Sequence, residues 1–586
     1  SIKSHLDGDK KEANKLLTEF KGLHLPEEED LLIKRRKYFS SLNDPVFQIL
    51  QEAKTKSKNN EYDAAIRLYR EAVNKSPKSE EACEGLAWEL WRKIKDSGQE
   101  GENEDINALL TEYSNLEAIA KPSKIHSRIL TTTTWSAGKI STFIEFVKWW
   151  DLENLQQEDY EAQHSQKDGN FYDSTVERVI KALNQAGKKH KETSDFEWIS
   201  KFIGDNYEKF PDQEWFPYYY GKALSKTEDK LEARNILMPI VRAKQSEFWV
   251  WDVLASTYTE SEIQIACFCA SLLCKVKNDS FRVNVHTELG AILLEQELLA
   301  EAKREYMHAV NIYTNEEWKI PEELINIQTT DWFEKTDDTS DNAGFYKEHE
   351  PTAHEILLSS LPWLDAVVSG RLEAKEGKKE LVFVGTLSGQ SIEETPINPS
   401  KFPEVEKLSP GSPIRIKTDQ FGGKTIVVAI ERREGEEWDI LPLIAGVISH
   451  INVDKAVSKV TTSKRTFCLL YHDKFPEAEK LTLGSFVGVK MRTDTKRNIS
   501  HAILFLVIDA LPEGCDYYID YDGFIDIGDG NAFGFVDDAY VSPAFIKSLH
   551  LEDGDHIIGK AICEWNDKKM KSTWTVTSVD HIDHVQ

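Results

Sequence analysis

The sequence predicts a multidomain chain that joins an α-solenoid to all-β modules: helical repeats first, then three small β-barrels in series. Three observations carry this. Lys401-Phe402-Pro403-Glu404-Val405-Glu406-Lys407-Leu408-Ser409-Pro410-Gly411-Ser412 returns as Lys474-Phe475-Pro476-Glu477-Ala478-Glu479-Lys480-Leu481-Thr482-Leu483-Gly484-Ser485, and such self-similarity marks a repeated structural unit. A shorter template, Leu-x-x-Gly-x5-Lys, occurs at Leu408/Gly411/Lys417, Leu481/Gly484/Lys490 and Leu551/Gly554/Lys560. Before residue 320 the apolar residues recur at helical spacing, with small residues at fixed intervals.

Composition bounds the rest. The 586 residues predict about four domains on the usual 100–200-residue prior. No apolar run reaches the roughly 20 residues that span a bilayer, and the polar N-terminus shows no secretory h-region. Seven scattered cysteines read as reduced thiols, so the expected setting is cytoplasmic, with no membrane partner. A net charge of -28 argues against a surface that coats nucleic acid all over, so any such site is a local patch.

Residues 1–43 read as a charged helical segment punctuated by Pro26. Residues 44–320 read as the solenoid. Tyr62, Ala65, Tyr69, Ala72 and Pro77 fall at the spacings of the second helix of a tetratricopeptide repeat, where small Ala admits a neighbouring helix and a ring fills the gap. Tyr220-Gly221 with Ala233, Leu237 and Ile240 resembles another such hairpin, as does Leu289-Gly290 with Ala302, Tyr306 and Ala309; Trp249 to Cys274 reads as a degenerate one. Asp96 to Asp105 reads as a loop, and 106–205 as helices whose Trp135, Trp149, Trp150 and Trp198 supply a core. The resemblance implies a concave groove that holds a segment of a protein partner; the bland alternative is a spacer.

Residues 321–375 read as an acidic linker, Glu334 to Gly344, followed by a helix from Thr352 to Val368 with Thr352 as N-cap and Glu355 three residues on. The barrels are expected at 376–435, 440–511 and 519–584, each opened by a glycine-bearing strand: Val384-Gly385-Thr386-Leu387, Ala445-Gly446-Val447-Ile448 and Asp522-Gly523-Phe524-Ile525.

In the third barrel Ala532-Phe533-Gly534-Phe535-Val536 precedes Tyr540-Val541-Ser542-Pro543. This resembles the cold-shock-like OB domain at the front of transcription termination factor Rho. The resemblance implies a surface where rings stack on unpaired bases, with Phe533, Phe535 and Tyr540 as the rings by position and Trp574 as a fourth. Stacking tolerates any base, because each has a π-face. Where the Rho domain has an arginine after that strand, Asp537 stands here, and the module is strongly acidic. Module two has the opposite balance, with Lys455, Lys459, Lys464, Arg465, Lys474, Lys480, Lys490, Arg492, Lys496 and Arg497, and with Phe467 and Tyr471 able to stack. Since phosphates need cations, Lys490, Arg492, Lys496 and Arg497 are the expected phosphate contacts, with module three adding rings. Side chains two apart on a strand share a face, so Phe533 and Phe535 line either a stacking surface, a module interface or a core.

No P-loop, Gly-x-Ser-x-Gly or His-Glu-x-x-His occurs, and Gly528-x-Gly530 reads as a hairpin turn. Cys267-x-Cys269-x4-Cys274 reads as buried structural cysteine rather than a metal site, and His581-x-x-His584 lies at the chain end. No catalytic residue, metal or cofactor is expected. As a whole the order of domains resembles bacterial proteins that join a tetratricopeptide solenoid to C-terminal S1- or cold-shock-like OB domains and are encoded in antiviral or conflict cassettes. The resemblance implies a non-enzymatic adaptor that binds single-stranded RNA or DNA, with RNA favoured. The alternative is a protein–protein scaffold whose OB modules dock partner proteins.

Overall fold

The computed structural model describes residues 44–100, 103–164, 169–190, 192–337, 341–373, 380–494, 499–566 and 570–585, with a few helical residues among 11–19. The expected helical segment 1–43 therefore lies almost wholly outside the described residues. The chain divides into a helical unit, 1–353, and a β-rich unit, 354–586.

The helical unit is built from hairpins. Helices α1 (Pro45–Lys58) and α2 (Tyr62–Lys75) form the first, and α3 (Glu80–Glu100) packs on α2. Asp44 caps α1 through a 2.9 Å bond from the Val46 N–H to its Oδ1, and Pro45 occupies the first turn, where it loses no hydrogen bond. Then follow α4 (Asn103–Ser114), α5 (Lys124–Thr133), α6 (Phe143–Trp150), α7 (Thr175–Ala186) and α8 (Thr193–Gly204). Three further hairpins pair α9 (Phe216–Leu224) with α10 (Lys230–Ala243), α11 (Phe248–Ala255) with α12 (Ser261–Leu273), and α13 (Val283–Glu295) with α14 (Leu299–Asn315). Helices α15 (Glu322–Gln328), α16 (Asp331–Lys335) and α17 (Ala343–Leu358) follow.

A glycine on one helix faces a ring or a leucine on its neighbour. A Cβ on Gly221 would lie 2.6 Å from Leu237, and one on Gly290 would lie 3.3 Å from Tyr306. The Tyr69 ring fills the same space over Gly85. Ala65, Ala72, Ala233, Ala302 and Ala309 are fully buried, as close helix approach demands.

Several expectations change here. Asp96–Asp105 is not a loop: α3 runs through Glu100 and α4 starts at Asn103. Trp150 is fully buried, but Trp135 is exposed and contributes no core. The end of the acidic tract is anchored at Asn342. Glu305, fully buried on α14, accepts hydrogen bonds from Asn342 Nδ2 (2.5 Å), Tyr346 Oη (2.5 Å) and the His286 ring (Nδ1, 2.6 Å). Helix α17 begins at Ala343, whose N–H donates to Asp341, so Thr352 lies inside a helix and caps nothing. The stretch after it turns to strand at Leu364.

The β-rich unit holds three five-stranded modules. Module one has β1 (Leu364–Leu372), β2 (Leu381–Ser388), β3 (Ser391–Ile397), β4 (Pro413–Phe421) and β5 (Lys424–Arg432). Module two has β6 (Ile444–Asn452), β7 (Val457–Thr461), β8 (Phe467–Tyr471), β9 (Phe486–Asp494) and β10 (Ile499–Val507). Module three has β11 (Tyr518–Asp526), β12 (Gly534–Val536), β13 (Ala539–Val541), β14 (His556–Asn566) and β15 (Lys571–Asp583). Modules two and three close into barrels through a parallel pair of third and fifth strands, Leu469 opposite His501 and Tyr540 opposite Thr575. That is the OB strand order. Module one keeps the order β3-β2-β1-β4-β5, but no pairing joins β3 to β5 among the described residues.

The twice-written stretch now has a physical role. In each module the glycine of Leu-x-x-Gly has a positive φ (97°, 82° and 88°) and donates its N–H to the first strand. Gly411 bonds Val368 O, Gly484 bonds Ile448 O and Gly554 bonds Ile525 O, at 2.7, 2.9 and 2.9 Å. Only glycine takes that backbone conformation without strain. The preceding leucines, Leu408, Leu481 and Leu551, pack onto their own barrel cores, as do Phe402 and Phe475. The equivalence of Val368, Ile448 and Ile525 makes β1 the opening strand of module one. The expected Val384-Gly385-Thr386-Leu387 is its second strand, and the module starts near 364 rather than 376.

Candidate nucleic-acid interface

Module three places three rings together. Register sets Phe535 on β12 directly opposite Tyr540 on β13. The alternation of β12 turns Gly534 and Val536 inward and Phe535 outward. A side chain at 534 would strike the Asp526 carbonyl at 2.8 Å, which is why the residue between the rings is glycine. Ring centroids are 5.9 Å apart for Phe533–Phe535, 5.7 Å for Phe533–Tyr540 and 5.9 Å for Phe535–Tyr540. Phe535 is 40% exposed, while Phe533 and Tyr540 are half-buried. These rings therefore form one outward cluster and not a core.

The same face carries a ring that sequence reasoning missed. Phe524, two residues before Asp526 on β11, is 69% exposed and lies 4.9 Å from the His556 ring. Asp526 pairs with Phe535 across the strands, so strand alternation puts Phe524 on the Phe535 side. The alternating run Gly523-Phe524-Ile525-Asp526-Ile527 held that signal.

Trp574 does not join the cluster. It pairs with Ala539 and Cys563 on the inward parity of β15, where it packs on the module-three core and on the junction cluster of Val447, Tyr517, Ile562 and Cys563. The outward neighbour of Tyr540 on that strand is Thr575.

Module two has a comparable face. Phe467 is 41% exposed, Tyr471 lies 5.5 Å from the His501 ring, and Lys459 Nζ sits 4.7 Å over the Phe467 ring. Several of its cations, however, are tied to groups at the module junctions. Lys490 Nζ donates to Trp438 O at 3.0 Å, as Lys417 Nζ donates to Leu358 O at 2.6 Å, so in modules one and two the template lysine braces the segment before the first strand. Arg492 donates to Glu394 at 2.6 Å and to Ser369 O at 3.2 Å, across the junction with module one. Lys459 pairs with Glu564 of module three at 2.9 Å, and Lys464 with Asp516 at 2.8 Å. Arg465 lies 4.4 Å over the Trp565 ring. Lys490 and Arg492 thus have protein acceptors where phosphates were expected. Lys496 and Arg497 lie outside the described residues. Lys455, Lys474 and Lys480 are exposed.

Glu564 is the polar centre of the junction between modules two and three. Burial opposes its charge, but hydrogen bonds from Thr461 and the charge of Lys459 outweigh this and hold its carboxyl below the ordinary range. Tyr517 Oη donates to Ala445 O at 3.1 Å, and the Trp565 N–H to Lys464 O at 2.7 Å. Nothing in the motifs pointed to Glu564, because its partners lie more than a hundred residues away.

The cysteine run is core, and the chain-end histidines pair with carboxylates. Cys267 and Cys269 are buried on α12, and burial pushes the Cys267 thiol up to about 12. His584 Nδ1 bonds Asp555 at 2.9 Å and His581 bonds Asp583 at 3.2 Å. Among the described residues no helix is long and apolar enough to cross a membrane.

Comparison with known families bears on both units. Residues 438–504 match the S1/CSD-like domain 1 of the TOTE conflict systems, and residues 519–579 match the S1/CSD-like domain 2 of the same systems. Residues 214–353 match a domain of unknown function, DUF7017. Modules two and three are therefore S1/cold-shock-like domains of the conflict-system type. No curated protein matches the chain. Among solved structures, the TPR2AB domain of yeast Sti1 in complex with pHSP90 aligns at 11% identity over 53% of this chain and 98% of its own, with a TM-score of 0.16. Yeast Tom70 aligns at 12% identity over 54% and 68%, with a TM-score of 0.20. Drosophila Unr CSD456 aligns at 9% identity over 38% and 98%, with a TM-score of 0.14.

Proposed function

We propose that the chain is a non-enzymatic adaptor that holds single-stranded nucleic acid, RNA favoured, on its C-terminal modules and a segment of a partner protein on its helical unit. The observation that carries the first half is the outward ring cluster of Phe533, Phe535 and Tyr540, with Phe524 beside it. Bases stack on such rings without regard to sequence, at about 1–3 kcal/mol each. The match of the two modules to conflict-system domains fits a role in bacterial antiviral defence. The helical hairpins, with buried alanines and facing glycines, fit a protein-binding solenoid.

A second reading has its own support. The ring face of module three is bordered by Asp526, Asp537 and Asp538, and several cations of module two already bond protein groups. Those features suit a scaffold that docks proteins. Fluorescence anisotropy of the full chain with a labelled single-stranded RNA, titrated from low to physiological salt, separates the two. The adaptor reading expects saturable binding that weakens with salt and is lost when Phe533 and Phe535 are replaced by alanine. Absence of binding at low salt would leave the scaffold.

A further inference from the structure

The helical unit holds a cavity of about 660 Å³ to which no family match assigns a role. It is lined in turn by α7, α8, α9, α11, α13 and α15 and by the turns between them, so it runs across successive hairpins. Its charged residues are sorted along that path. Lys188 follows α7, Lys222 lies on α9 and Lys226 just after it. Asp252 comes next on α11, then Glu288 on α13 and Glu323 on α15. Three lysines are followed by three carboxylates.

This ordering is not internally neutralised by contact. Lys188, Lys222, Lys226, Asp252 and Glu288 form no ion pair or side-chain hydrogen bond among the described residues, although they feel one another's fields. Lys222 and Asp252 are half-buried and Lys188, Lys226 and Glu288 line the cavity rim in the open, so a ligand that carries opposite charges meets unpaired partners along that path. Burial pushes Asp252 up to about 6, helped by Glu288 and opposed by Lys226 and Lys222. Burial also raises Glu288 and lowers Lys222. Tyr218 and Tyr219 supply apolar wall between the two ends.

We propose that this groove takes an extended peptide segment of split charge, with acidic side chains toward Lys188, Lys222 and Lys226 and basic side chains toward Asp252 and Glu288. The inference rests on the reading of the helical unit as a protein-binding solenoid and deepens it by naming the chemistry of the segment. Packed helices lie about 8–10 Å apart. The charge reversal from α9 to α11 therefore corresponds to about three residues of extended chain at roughly 3.3 Å each. A uniformly acidic or basic segment would meet repulsion at one end.

The test uses the full chain and two fluorescein-labelled peptides of one composition: three glutamates, three serines and three arginines in blocks, and the same residues interleaved. The block peptide is expected to bind at least tenfold more tightly. Lys222→Glu with Lys226→Glu should abolish that preference while the circular dichroism melt stays as in the wild type. Affinity for the block peptide should fall between pH 7.5 and 5.5, because protonated Asp252 no longer attracts arginine. The peptide's own glutamates titrate lower, near about 4.3. Asp252 is faced by Glu288 from α13, by Lys222 and Tyr218 from α9 and by Lys226 after it, and His190 lines the same cavity. Asp252→Asn must therefore flatten the pH dependence for the assignment to hold. Equal binding of both peptides, weakened together by Tyr218→Ala, would overturn the split-charge proposal and keep the groove as a peptide site. Absence of binding by either peptide would overturn the proposal, and the RNA titration would still stand or fall on its own.

Discussion

Modules two and three have the same strand order, the same closing parallel pair and the same glycine turn, yet they use their outer faces differently. Module three presents rings edged by carboxylates. Module two presents fewer rings and many cations, four of which reach sideways: Lys490 to Trp438 O, Arg492 to Glu394, Lys459 to Glu564 and Lys464 to Asp516. The difference teaches that charge counted along a chain is not charge available to a ligand. A lysine bonded to a carbonyl or carboxylate of the next module joins modules first, and a phosphate must displace that acceptor to reach it.

The ring cluster gives the largest expected effect. Phe533→Ala with Phe535→Ala should weaken RNA binding by about 2–4 kcal/mol if two bases stack, with the salt slope unchanged. Phe467→Ala in module two, a single ring, should cost about 1 kcal/mol. If the double variant melts as the wild type and binds RNA equally well, the stacking assignment fails and the contrast between the two faces loses its functional meaning.

The junction gives a smaller effect with a definite pH sign. Because the Glu564 carboxyl is held below its ordinary range, its contribution to docking is complete above the unfolded value of about 4.3. It is lost as pH falls through the lower folded value. Glu564→Gln should destabilise the β-rich unit by about 1–2 kcal/mol at pH 7, in the lower part of the range for hydrogen bonds to charged groups because the side chain is partly exposed. Wild type and variant should converge once the pH lies below the lowered folded value. Thermal melts at pH 7 and below that value check this, and a gap that persists in acid would show that the effect is not electrostatic.

What the sequence made legible follows from how local each signal is. The Leu-x-x-Gly template was readable because a positive φ forces glycine and a core contact forces leucine, both within four residues. The hairpins were readable because small residues face rings at fixed spacing. Phe535 and Tyr540, which the Rho resemblance put together, stand directly opposite each other across β12 and β13. Trp574 was not, since its parity depends on a register with Ala539 that only the closed barrel defines. The helix expected at 352–368 failed because a Thr-x-x-Glu pair also occurs inside helices, and the true start is set by Asp341 and by Asn342 bonding buried Glu305. The opening strand of module one was missed because Ala366 stands there where modules two and three have Gly446 and Gly523, so the glycine signal fell instead on Gly385 of the second strand.

The smallest effect is the sharpest test of the contrast. Lys490→Ala with Arg492→Ala removes two cations that the sequence alone assigns to phosphates. A phosphate contact on a single strand contributes about 0.7 to the slope of log affinity against log salt, so losing two would lower it by about 1.4. The structure predicts otherwise, because Lys490 Nζ is held by Trp438 O and Arg492 by Glu394 and Ser369 O. The slope should stay within error of the wild type, while modules one and two dock less firmly and the β-rich unit melts earlier. Exposed Lys455 and Lys474 make no such bonds among the described residues, so Lys455→Ala with Lys474→Ala should lower the slope at an unchanged melting temperature. Should the Lys490/Arg492 pair lower the slope and the Lys455/Lys474 pair leave it alone, the junction cations would be the phosphate site after all. Modules one and two would then have to part on binding, exchanging Glu394 and the Trp438 carbonyl for the strand.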